Sequence, residues 1–519
     1  MSNHGQHQVS ARRRRRTGVL FSVVLAASLL LTTLAPAQAA PAQAQAAQPA
    51  SAEAGTAVAS RLPFELPPTN VLRSSPKKVF ANWAPTLPIS LDNKAPASDY
   101  YAVDYLQPRG EGGIHARYGG FLRDRPLPRA PLAGDWRLQD MQTEVRQAIS
   151  VGIDGFVVDV LQLGDPGGRL WDNEQLMMQA AASVDPGFKI IVMPDMTGAV
   201  GKASPAVLAQ YVAELGRSAS AYRLGDGRLV VSPFTAEVHD VAWWRQFLDI
   251  MATTQHTPVA FLPLFQNEQI WRTQFAPISY GMANWGSRNP QHNGPEAEAA
   301  AGPDPLGRAA AVERLGKVWM QPVSAQDERP RAGLYDEAQN TTNLRNTWQI
   351  AIDGHAQLVQ LATWNDYSEG SQLAPSVANG WSYLDISAYY LTWFKTGQRP
   401  PVVRDTVYLT SRVQPYAARP SFPQTTLMTL RGGSPSRDTI EALTFLTAPG
   451  TVTIHAGNST ATCAVPAGVG MCTVPLHTGT LSATVSRNGA TVAQITSTHP
   501  VTDNPTVQDL HYYADSSRR

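Results

Sequence analysis

Two carboxylic acids three residues apart close an apolar run late in the chain: Leu361-Ala-Thr-Trp364-Asn365-Asp366-Tyr-Ser-Glu369-Gly370. A strand that ends this way hands an acid and a base to one pocket. Hydrolysis of a glycosidic bond needs two such groups and little else. The spacing alone is weak, because a D-x-x-E pattern is common by chance, with the Asp capping a turn and the Glu in solvent. What discriminates is the frame around Asp366 and Glu369.

That frame is a series of eight apolar runs, at residues 78–84, 153–160, 188–193, 228–234, 258–265, 278–284, 318–323 and 356–363. Helical patterns with recognisable ends lie between them. Ser204-Pro205 opens one helix, which Gly216 either interrupts or closes, and Asp240 opens another. Thr342 caps a run stopped by Gly354, and Asp385 caps the last, which ends at Gly397. Alternating strands and helices in this number predict an α/β fold, a (β/α)8 TIM barrel. Such barrels carry their chemistry where the strands end. The ends here are Trp83, Asp159, Asp195, Thr235 with Glu237, Gln266 with Asn267, Trp285, Gln321 with Asp327, and the strand-eight group Trp364, Asn365, Asp366 and Glu369.

Carboxylates, amides and indoles together suit carbohydrate, since sugar hydroxyls take bidentate acceptors and sugar C–H faces pack on aromatic rings. Asp366 and Glu369 are the expected catalytic pair. Trp83, Asp159, Asp195, Trp285, Gln321, Trp364 and Asn365 are the expected substrate contacts, while Asp327 and Glu237 are weaker candidates. For each tryptophan core packing is the rival, and for Asp159 and Asp195 an arginine partner or a helix cap. The long stretch between Leu87 and Trp136 is expected to wall the cleft, its His115 making an ordinary hydrogen bond. The signatures HExxH, GxxxxGK[ST] and GxSxG are absent, and no GxGxxG follows a strand, which removes the main support for metalloprotease, P-loop and serine-esterase readings. No cofactor and no metal is called for.

Lys+Arg and Asp+Glu nearly cancel, 42 against 41, so nothing suggests a nucleic-acid partner. Residues 1–40 read as a secretory signal: arginines 12–16, an apolar stretch from Val19 to Leu31, and small residues around Ala37-Gln38-Ala39. Residues 41–75 are expected to be a disordered linker rich in Ala, Pro and Gln, 76–400 the catalytic barrel, and 401–519 a small β-sandwich. With no later apolar span, the mature chain should lie outside the cell and off the membrane, acting as a monomer on a polysaccharide. Cys463 and Cys472, the only cysteines, should form one disulfide across a hairpin in an oxidising compartment. The sandwich is expected to buttress the barrel, with binding of polysaccharide as the alternative role, and the last residues, around Tyr512-Tyr513, are expected to fray.

Three segments carry a resemblance: Val79-Phe-Ala-Asn-Trp83, Gly152-Ile-Asp-Gly-Phe156 and Thr363-Trp-Asn-Asp-Tyr-Ser-Glu369. They look like glycoside hydrolase family 71, the endo-1,3-α-glucanases or mutanases, over roughly residues 76 to 400. The resemblance implies a barrel that hydrolyses α-1,3-glucan with inversion, with Glu369 as general acid and Asp366 as general base. Two features depart from the family pattern: Ser368 stands where Gly is usual, and Asp159-Val-Leu-Gln162 replaces an Asn-rich strand end. Family 99, retaining endo-α-mannosidases with a similar W-N-[DE]-x-x-E ending, is the enzyme alternative. A non-catalytic polysaccharide-binding barrel is the alternative outside enzymes.

Overall fold

A computed structural model describes residues 61–164, 168–293, 307–432 and 435–519. The expected signal at 1–40 and the linker as far as residue 60 lie outside the described residues. From residue 61 the expected linker is folded. Leu62 and Phe64 are fully buried, Arg404 donates to both of their carbonyls, and Thr69–Ser74 is a short helix. Leu62, Phe64 and Leu72 interrupt the Ala/Pro/Gln composition and enter the core, which a disordered tether would leave empty.

All eight expected strands form, at Lys78–Trp83, Gly155–Val160, Lys189–Pro194, Leu229–Val231, Val259–Phe261 with Leu264–Phe265, Gly281–Asn284, Val318–Val323 and Leu358–Leu361. Each pairs in parallel with its neighbours, and the first pairs with the eighth through Lys78 opposite Leu358. The fifth strand is broken at Leu262-Pro263. Its first half pairs with the fourth strand and its second half with the sixth, so the ring closes through this break. Leu262 N–H still reaches the Val231 carbonyl at 2.9 Å, and the Pro263 carbonyl accepts from Ala283 at 3.0 Å. The fold is a (β/α)8 barrel. Alternate residues such as Phe80, Val157, Ile191, Val230 and Met320 fill its interior, while Val79, Ala81, Phe156 and Val158 face the helices.

Side-chain caps begin several of the barrel helices. Asp135 accepts from Leu138 N–H, Ser204 from Val207 with Pro205 in the first turn, and Asp240 from Trp243. Two expected caps are corrected. The helix after strand seven, Thr342–Asp353, has Thr341 before it, whose hydroxyl bonds to Glu441 instead of capping. The last helix starts at Ser382, so Asp385 lies in its first turn, where it pairs with Arg519.

After the barrel come two four-stranded antiparallel sheets. One is built from Thr406–Ser411, Thr439–Leu446, Gly468–Pro475 and Tyr513–Ser516, the other from Gly450–Ala456, Ser459–Val465, Leu481–Arg487 and Ala490–Thr496. The Cys463–Cys472 disulfide is formed. It does not cross a hairpin, because its two strands belong to different sheets, and it ties the sandwich together. The C-terminus is not frayed either. Tyr513–Ser516 is a strand, and Tyr512 is buried with its hydroxyl on Glu337 at 2.7 Å. No helix among the described residues is long and apolar enough to cross a membrane.

Candidate active site

The strand ends open into a cavity of about 650 Å3 bordered by Asp159, Asp195, Trp285, Asp366 and Glu369. Asp366 and Glu369 therefore share one space. The loop that carries them is fixed from several sides. Thr363 Oγ1 accepts from Asp366 N–H at 3.0 Å, the Glu369 carbonyl accepts from Glu328 N–H at 2.7 Å, and Gly370 turns the chain at φ +58°. A Cβ at Gly370 would stand 3.1 Å from the Glu328 side chain and 3.2 Å from the His511 ring. Glycine is thus required there by both conformation and space.

The two carboxylates sit in different surroundings. Asp366 Oδ1 accepts three donors, Ser368 N–H at 3.0 Å, Ser368 Oγ at 2.7 Å and Glu369 N–H at 3.1 Å. Burial raises its pKa, and these donors with Arg329 oppose the rise. Glu369 has one strong partner, Arg329, at 2.7 Å. That guanidinium is already engaged by Asp327, with contacts of 2.6 to 3.0 Å. Burial and the neighbouring Asp366 prevail over Arg329, and Glu369 is pushed up to about 8. Asp159 stands apart from both: burial, then the charges of Asp195, Asp366 and Glu369, hold its pKa well above the carboxylate range. Its Oδ1 is buried and meets no partner among the described residues. A protonated Asp159 would offer a donor and an acceptor to a sugar hydroxyl. Asp195 directs Oδ1 to Thr197, 2.7 Å from its N–H and 2.6 Å from its hydroxyl.

Four expected contacts stand elsewhere. Trp83 and Trp364 are fully buried, and both indoles donate to Glu144 Oε2, at 2.6 and 2.9 Å. They pack behind the cavity wall because an acid on the helix Trp136–Ser150 draws their N–H groups outward. Asn365 is buried and grips Ala84, accepting from its N–H at 2.8 Å and donating to its carbonyl at 2.9 Å, which ties the end of strand eight to strand one. Gln321 accepts from Trp319 and borders a neighbouring cavity of about 300 Å3. Asp327 is buried beneath Arg329, Glu237 accepts from Gln266 N–H at 2.8 Å, and His115 lies against Glu111 and Tyr118 in the long first loop.

A sequence model of glycosyl hydrolase family 71 matches residues 132–517, most of the barrel and the sandwich beyond it. The chain belongs to glycosyl hydrolase family 71. It is a glycoside hydrolase. Among characterised relatives, it is 22% identical over 404 residues to glucan endo-1,3-alpha-glucosidase agn1 of Schizosaccharomyces pombe, covering 73% of this chain and 90% of that one. It is 24% identical to the mutanase Pc12g07500 of Penicillium rubens, covering 75% and 87%. Among solved structures, the GH99 endo-alpha-mannosidase from Bacteroides thetaiotaomicron matches with a TM-score of 0.45 at 15% identity, covering 62% of this chain and 98% of that one.

In this family 71 hydrolase an arginine group escaped sequence reasoning. Arg288 is fully buried and donates to the carbonyls of Trp285 at 2.8 Å and Gly286 at 3.2 Å, fixing the indole that borders the cavity. Arg329 and Arg331 follow strand seven in the run Glu328-Arg-Pro-Arg, a basic cluster at a strand end that could have been singled out. Arg431 could not. It comes from the sandwich part of the chain and reaches the cavity while held by Asp336 at 2.7 and 2.9 Å. Ser368, the departure from the family pattern, supplies two of the three donors on Asp366.

Proposed function

We propose that this hydrolase cleaves α-1,3-linked glucan outside the cell with inversion at the anomeric carbon, Glu369 acting as general acid and Asp366 as general base. The observation that carries the role assignment is the contrast between the two carboxyl environments. Three donors favour the ionised form of Asp366, whereas Glu369, pushed up to about 8, keeps its proton at neutral pH. The linkage is supported by the two relatives, one named as a glucan endo-1,3-alpha-glucosidase and the other as a mutanase. In the reaction Asp366 takes a proton from water as the water oxygen bonds to the anomeric carbon. The C–O bond to the next sugar breaks, and Glu369 gives its proton to the departing oxygen. Asp159 and Asp195 hold hydroxyls of the sugars beside the cleaved bond, with Trp285 against a ring face.

The deciding experiment follows the anomeric form of new reducing ends released from insoluble α-1,3-glucan. The β-anomer should appear first and then mutarotate. Initial α-anomer would mean retention, and release only from α-mannan would move the substrate to the mannosidase alternative. Binding without any product would favour a non-catalytic barrel. Arg329 offers a second check, since its charge favours the ionised form of Glu369. Arg329→Gln should lower the rate and move the alkaline limb of the pH–rate profile upward, whereas a limb that stays in place would detach Arg329 from the acid.

A further inference from the structure

We propose a second carbohydrate subsite on the active face of the barrel, in a groove beyond the catalytic cavity, with Trp136 as the platform for a neutral sugar chain. The proposal rests on the reading of the protein as a polysaccharide hydrolase. The groove measures about 270 Å3 and runs into a hollow of about 360 Å3, and both are bordered by Arg137 and Asp172. It lies where the helices Trp136–Ser150 and Arg169–Val184 begin, which in a (β/α)8 barrel is the side on which the strands end.

Residues 85–88 form the ridge between groove and cavity. Asn173 donates to the Pro85 carbonyl at 2.8 Å and Arg169 to the Thr86 carbonyl at 2.9 Å. Thr86 faces the cavity and Pro88 the groove. A polymer lying in the cavity has to leave it over an edge, and this ridge leads directly to Trp136.

The groove has the two components that sugar recognition uses, an aromatic face and bidentate polar groups. Trp136 is only half-buried, and the Arg129 guanidinium that pairs with Asp140 stands over one side of its ring, 5.7 Å from the centroid. Arg137 and Asp172 stand 3.8 Å apart, each about a third exposed, at 33% and 30%, and Arg137 also donates to Asn173 at 2.7 Å, which leaves Asp172 as the group best able to turn to a hydroxyl. The groove is lined by two arginines, Arg137 and Arg169, and two aspartates, Asp140 and Asp172. Asp140 is held by Arg129 at 2.5 and 2.6 Å, and Asp172 faces Arg137. This balance suits an uncharged glycan better than an acidic one.

The test uses the full-length chain. In an Asp366→Asn background, which leaves the polymer uncut, Trp136→Ala should weaken retention on insoluble α-1,3-glucan about five- to tenfold, and Asp172→Ala should do so less. In the active background Trp136→Ala should raise the half-saturating concentration of insoluble glucan by a similar factor. On a soluble α-1,3-oligosaccharide short enough to fit the catalytic cavity, kcat/KM should not change. Unchanged retention by both variants overturns the proposal, as does an equal loss on the short substrate. A wild type that cuts no α-1,3-glucan would refute the activity proposed above. The comparison of Trp136 with Trp136→Ala on other neutral polysaccharides would still decide the subsite.

Discussion

Glu369→Gln loses about two to four powers of ten in turnover of α-1,3-glucan while still binding it, because glutamine keeps the shape of the side chain and has no proton to give. The loss should depend on the leaving group. An aryl α-glucoside whose phenol departs without protonation should lose far less than the polymer, and that difference separates a missing acid from a damaged site. The pH profile gives the same information. A general acid works while protonated, so kcat/KM of the wild type should fall as pH rises through about 8, the value to which burial and Asp366 push Glu369. In the variant that limb disappears from the residual activity. The acidic limb belongs to Asp366, which works ionised. Burial moves that limb above the ordinary aspartate range, and Ser368 holds it back through two donors. A glutamine variant with wild-type turnover and an intact alkaline limb would place the acid elsewhere.

The barrel was legible because its strands are buried on both faces and its helices are punctuated by caps, so each run had distinct ends. Strand five is the instructive case. It read as one run from 258 to 265, yet Pro263 lacks the N–H that a continuous ladder needs, and the strand serves two neighbours in succession. In the site, Asp159, Asp195, Trp285, Asp366 and Glu369, whose side chains follow directly from a strand end, border one cavity. Trp83, Trp364 and Asn365 turn from that cavity because the face that a strand's last residue presents depends on partners elsewhere in the chain, whereas Gln321 is held by Trp319 two residues before it. Nothing near Trp83 in sequence announces Glu144, and nothing near Glu369 announces Arg431. The same limit explains the C-terminus. The segment from Tyr512-Tyr513 onward looked like a fraying tail, but Tyr512 N–H bonds to Gln326 at 2.7 Å, and just before it Leu510 N–H bonds to Glu328 at 2.8 Å. Between and beyond those two side chains, Asp327 and Arg329 point the other way and meet at 2.6 Å, with Arg329 reaching Glu369. The end of the chain thus braces the segment that partners the proposed acid, which gives the expected buttress a specific point of contact.

Glu144→Ala should destabilise the protein by roughly 2–5 kcal/mol, because it leaves two buried indole N–H groups unpaired and opens space between them. Glu144 Oε2 is the shared acceptor of the Trp83 and Trp364 indoles, at the ends of strands one and eight, and the backbone N–H of Trp364 donates to the Asn82 carbonyl at 2.6 Å. Losing the clamp loosens the seam immediately before Asn365 and Asp366, so activity should fall at temperatures where the variant is still folded. Glu144→Gln tests the mechanism, since an amide oxygen can accept from both indoles without carrying charge. The pH dependence has a definite sign. Burial pushes Glu144 up to about 8 from an ordinary value of 4.5. Between those values the native state holds a proton that the unfolded chain releases, so the contribution of Glu144 to stability is fully present below about pH 4.5 and is lost as pH rises to about 8. Thermal melts of the wild type should therefore shift downward across that window, and Glu144→Gln should flatten the decline. Glu174, pushed up to about 9, and Glu328, to about 8, keep a residual slope of the same sign. If Glu144→Gln melted as low as Glu144→Ala, the shared oxygen would not be what holds the two tryptophans. If it melted with the wild-type slope, Glu144 would already be ionised in the folded protein.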